Sequence, residues 1–93
     1  MTNQTTEAGR ATELRALLAV VRDAIALPAA ATFTDAQTRA RTLADRAMYA
    51  EIAIDQALAH GDDTAWAVEY LRARLADHPA TAYRHLGETE ATR

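Results

Sequence analysis

The chain has no cysteine, no lysine and no serine, and it carries only three glycines, two prolines, one Trp and one Phe. Without cysteine there is no disulfide framework, no thiolate zinc site and no thiol nucleophile. Without serine or a glycine-rich loop there is neither a hydroxyl nucleophile of the usual kind nor a phosphate cradle. No window approaches 18 consecutive apolar residues, so no membrane span is expected. The start, MTNQTTEAGR, lacks a basic stretch followed by an apolar run, so no secretory leader is expected and the cytoplasm is the default compartment. Paired acids on separate apolar segments are also missing, and a chain this short encloses a pocket of about 300 Å³ only with difficulty. The expectation is a protein that is not an enzyme and takes no cofactor and no metal.

What is present is alanine, arginine and acid. The 93 residues include 24 alanines and ten arginines, and the net charge is −3. This bias matches GC-rich coding, as in an actinomycete. Apolar residues make up 49%, a globular proportion. Ninety-three residues form one domain. A domain of this size buries only roughly 60–65% of its unfolded surface, so it gains from oligomerising, most simply as a homodimer.

Glycine and proline punctuate an otherwise helical pattern. Residues 1–11 are polar and read as a flexible segment. A first helix is predicted over about Thr12–Leu27, with Leu14, Leu17, Leu18, Val21, Ala24 and Ile25 in one stripe and Pro28 as the stop. Thr34 and Gln37 have capping-box spacing, so a long second helix is predicted from about Asp35 to a stop at Gly61. Ala40, Leu43, Ala47, Ala50, Ile54 and Ala57 follow a three-four repeat along it, a seam of small residues that admits a close neighbour. Asp62 or Asp63 caps a third helix, about Thr64–Asp77, whose core face is Val68, Leu71 and Leu75. Pro79 and Gly87 bracket a short fourth helix over Ala80–Leu86, and 88–93 read as a flexible tail. The predicted fold is all-α, an antiparallel bundle built from a long helical hairpin, a third helix and a short C-terminal helix, with the domain at 12–87.

Two sets of side chains are surplus to that core. Met48 and Ile52 lie roughly 120–160° from the alanine seam, with Tyr49 beyond them. Trp66 and Tyr70, at i and i+4, lie off the third helix's core face, and Arg74 continues their ridge. These residue types are the ones enriched in binding hot spots. The two sets either pack on each other or offer a surface to a partner. Glu51 and Asp55 form a like-charge i,i+4 pair that an arginine across the hairpin, Arg15 or Arg22, should relieve.

The histidines sit near helix ends, where His60 and His78 suit the local dipole. His60 with Asp62 and Asp63 offers three ligand types in one turn, which falls short of a metal-site pattern. A di-iron carboxylate site needs Glu-x-x-His, and Arg72 stands three residues after Glu69.

The segment Thr81, Tyr83, Arg84, His85, Leu86 resembles the end of a recognition helix in helix-turn-helix regulators, with Leu71 and Leu75 where such a unit places core leucines. The resemblance implies that Thr81, Tyr83, Arg84 and His85 would face DNA. It departs from the pattern at Ala76, Asp77 and Arg72, which stand where the turn glycine, an apolar residue and a small crossing residue are usual. From Asp62 onward, six acids oppose four arginines, the wrong balance for a surface that must neutralise phosphates. The sequence therefore favours a small acidic protein-interaction module, a regulator, inhibitor or adaptor that self-associates, with Met48, Tyr49, Ile52, Trp66, Tyr70 and Arg74 as its partner-binding residues. DNA binding through 71–87 is the alternative.

Overall fold

A computed structural model describes the backbone of residues 2–87 and the side chains of 7–87. The expected tail, 88–93, lies outside the described residues. Helix α1 spans Thr2–Ile25, α2 Phe33–Ala59 and α3 Thr64–Asp77, with single 3-10 turns at Gly61–Asp63 and Ala80–Ala82. The protein is an all-α three-helix bundle. The described residues form no strand, and their one sheet-like feature is an isolated antiparallel bridge between Ala30 and His85.

α1 begins at Thr2, ahead of the expected start at Thr12. No proline interrupts residues 2–12, and Gly9 lies within a helix that tolerates it. The N-cap of α2 is Thr32, two residues before the expected Thr34. Its hydroxyl accepts from the Asp35 amide at 3.0 Å and donates to the Asp35 carboxylate at 2.8 Å. That hydroxyl contact, together with Arg84, holds the Asp35 carboxyl below the usual carboxylate range. α3 occupies its expected span and ends at His78, whose amide bonds the Leu75 carbonyl. His60 closes α2 in the same way through Gln56.

α3 packs on both long helices more extensively than those two pack on each other. The core is thin, comprising Leu17, Val20, Ala24, Ala50, Ala53, Ala67, Val68 and Leu71. Half of it is alanine, and Leu71 is the one large side chain among the described residues with no exposure. The stripe expected on α1 is therefore rotated. Leu17, Val20 and Ala24 face inward, while Leu14, Leu18 and Ile25 are exposed.

On α2 the buried line is Thr42, Arg46, Ala50 and Ala53, about one residue off the expected seam, so Ala40 and Ala47 are exposed. Arg46 causes the shift. Its side chain is only 6% exposed, and its guanidinium donates to the carbonyls of Asp23 (2.9 Å) and His78 (3.1 Å). Both acceptors lie at helix C-termini, where carbonyls lack intrahelical partners and the dipole favours a cation. Burial lowers the Arg46 pKa, yet the group stays charged at neutral pH. Two turns earlier on the same helix, Arg39 does the same for Leu27 and Pro28, both at 3.0 Å.

The expected fourth helix is one 3-10 turn, Ala80–Ala82, and from Tyr83 the backbone is extended. This segment is a strap across the α1–α2 connection. The Ala31 amide donates to the Arg84 carbonyl (2.9 Å) and the Leu86 amide to the Ala29 carbonyl (2.8 Å). Tyr83 is buried, and its hydroxyl donates to the Pro28 carbonyl at 2.6 Å. Backbone pairing with residues 29–31 takes the place of the helix expected between Pro79 and Gly87. Gly87, at φ +84°, ends the strap in a left-handed turn rather than capping a helix. Tyr83→Phe keeps the ring and removes one hydrogen bond. It should lower stability by about 1 kcal/mol and Tm by roughly 4–8 °C, read by thermal circular dichroism.

Candidate functional site

α2 and α3 together carry a row of stacked rings. Trp66 and Tyr70, one turn apart on α3, stack with centroids 4.9 Å apart and planes 13° apart. Tyr70 meets Tyr49 of α2 edge to face at 6.3 Å, and Tyr49 lies 5.2 Å from the His78 ring. Arg74 sits 5.9 Å from the Tyr49 ring centroid while its guanidinium pairs with Asp77 at 3.0 Å. His78 is 3.7 Å from Asp45. The two surplus sets of the sequence are thus joined through Tyr49 and Tyr70, which are half-buried against the core. Met48, Ile52 and Trp66 remain 47%, 41% and 49% exposed. Of the six expected partner-binding residues, Tyr49, Trp66, Tyr70 and Arg74 meet in this row, while Met48 and Ile52 stand exposed on α2 and make none of its ring contacts.

The residues expected to contact DNA are arranged otherwise. Tyr83 is buried, and Arg84 pairs with Asp35 at 3.4 Å. His85 contacts the Ala80 carbonyl at 2.7 Å and lies 5.0 Å from the Tyr83 ring. Thr81 is exposed on the 3-10 turn. The helix-turn-helix geometry expected at 71–87 is not formed, because its second helix is replaced by the strap.

A second apolar surface was not anticipated. Leu14, Leu17, Leu18 and Val21 of α1 and Ile54, Ala57 and Leu58 of α2 line an open groove of about 320 Å³. Leu18 and Leu58 are 68% and 80% exposed. Its signal was present in the sequence as the apolar stripe of α1, wider than one neighbour needs. Among the described residues the expected relief of Glu51 and Asp55 across the hairpin is not made: neither carboxylate has an ion pair there, Arg15 has none, and Arg22 contacts Asp23 alone at 3.3 Å.

Among the described residues, no three acidic or histidine side chains converge as a metal site would require, and no helix is long and apolar enough to cross a membrane. Comparison with protein-family models, curated proteins and solved structures finds no match.

Proposed function

We propose that the chain is a small, acidic, non-catalytic protein-interaction module, a regulator, inhibitor or adaptor, that docks a partner protein on the aromatic face of α2 and α3. The observation that carries this reading is Trp66, half exposed yet stacked at 4.9 Å on Tyr70, which in turn rests on Tyr49. A ring already fixed by stacking loses little rotamer freedom on binding, and Trp, Tyr, Met and Arg are the types that concentrate interface energy. Met48 and Ile52 supply further apolar area on α2.

The test is a photo-crosslinking residue at Met48, in extract from the native host. One partner should be captured, and Trp66→Ala should abolish the adduct. The same crosslinker at exposed Thr12 should not yield it. Because Trp66 is half exposed, its replacement should cost only about 1 kcal/mol, the worth of the stacked pair. Identical adducts at both positions, or an adduct indifferent to Trp66→Ala, would count against the reading.

A further inference from the structure

The α1–α2 groove has its own logic, independent of the aromatic face. At 100° per residue, Arg15 and Arg22 lie just outside the Leu14–Leu18–Ile25 line on the free side of α1. Glu51 and Asp55 lie just outside the Ile54–Leu58 line on the free side of α2. One lip of the groove is basic and the other acidic. All four side chains are exposed, and among the described residues none has a partner beyond the Arg22–Asp23 contact.

At 100° per residue Ala47 lies on the same α2 face as Ile54 and Leu58, level with the end of α1. Ala47 is exposed, so a small residue there leaves room for a close helix that the described residues do not provide. The Arg10–Asp62 pair and the Arg46–Asp23 contact fix the antiparallel level of the two helices. They place Arg15 level with Asp55 and Arg22 close to the level of Glu51.

We propose that a second copy of this chain covers the groove, related by a two-fold axis parallel to the helices, so that α1 of each copy packs on α2 of the other. That axis preserves level, so it sets Arg15 and Arg22 of each copy against Asp55 and Glu51 of its mate, while Leu14, Leu18, Val21 and Ile25 fill the facing wall of Ala47, Ile54 and Leu58. The interface is self-complementary, as a two-fold contact must be. The other two-fold, perpendicular to the helices, lays α1 on α1 and α2 on α2. It opposes Arg15 to Arg22 and Glu51 to Asp55, and like charges facing each other across an interface are strongly disfavoured. The ion pairs the hairpin leaves unmade within one chain are made between two.

Sedimentation equilibrium of the full chain tests this, over concentrations up to roughly 100 µM, enough to populate a dimer of micromolar Kd. Wild type should dimerise. Leu18→Glu should weaken association at least about tenfold, as burying an unpaired charge in the contact requires, with helical circular dichroism retained. Arg15→Glu with Arg22→Glu should also weaken it about tenfold or more at low salt. Adding Glu51→Arg and Asp55→Arg to that same chain should restore it, since every pair is then reversed. A wild type monomeric throughout overturns the proposal, as does a dimer insensitive to Leu18→Glu or a fourfold reversal that fails to recover. A dimer broken by Trp66→Ala and kept by Leu18→Glu would place the copies on the aromatic face and also overturn it. Failure here leaves the aromatic-face reading standing, because that reading is scored by the crosslink.

Discussion

Leu71→Ala should remove about a third or more of the stability of this protein. Leu71 has no exposed surface and sits in a core whose other members include Ala24, Ala50, Ala53 and Ala67. Alanines have no rotamers with which to fill a vacated site, so the cavity would persist. Leu-to-Ala changes at such positions cost about 3–5 kcal/mol. A domain of under a hundred residues has a total of roughly 5–10 kcal/mol. Urea unfolding followed by helical circular dichroism should show a midpoint reduced by about a third or more. Leu71→Met, which conserves volume, should cost less than about 1.5 kcal/mol. A Leu71→Ala loss below about 1 kcal/mol would mean the core can collapse around the gap, contrary to the packing described.

The second large effect belongs to a polar side chain. Arg46→Ala should cost about 2–4 kcal/mol, because it leaves the carbonyls of Asp23 and His78 without their part-buried bonds and empties the space the buried side chain fills. Three replacements separate the causes. Arg46→Met keeps most of the packing and loses both bonds, so it should remain destabilising by about 1–3 kcal/mol. Arg46→Lys offers a point charge in place of the two-pronged donor that spans α1 and α3, so it should fall between Met and wild type. The loss should change little with salt, since the acceptors are neutral carbonyls. Denaturant midpoints for the three variants provide the check, and a Met variant as stable as wild type would show that packing alone explains the position.

These two residues also mark what could be read from the chain alone. The bundle was legible because the breakers are few and well placed: Pro28, Gly61 and Pro79 separate three apolar periodic runs, and α3 matches its expected span. Leu71 belonged to an evident core face. Arg46 did not, since hydropathy ranks arginine as a surface residue. Its burial depends on two carbonyls from distant helix ends that no local pattern announces. The seam on α2 was misplaced by one residue for that reason. Spacing does not say which flank of the α1 stripe is covered, and Leu14 and Leu18 lie beside the core rather than in it.

Between Pro79 and Gly87, local signals favoured a helix, and long-range backbone pairing prevailed. The Trp66–Tyr70 stack follows from i,i+4 spacing and was legible. Its junction with Tyr49 required knowing how α2 and α3 are rotated about their own axes.

The strap has a kinetic corollary. Its bridge ties residue 85 to residue 30, closing a circuit that contains the whole of α2 and α3. Fastening so long a loop costs on the order of 3–4 kcal/mol of chain entropy, which only a few backbone bonds, the Tyr83 hydroxyl and the Arg84–Asp35 pair offset. The buckle therefore closes late, after the helices have brought its halves together, and it is the first fastening to slip when the molecule breathes.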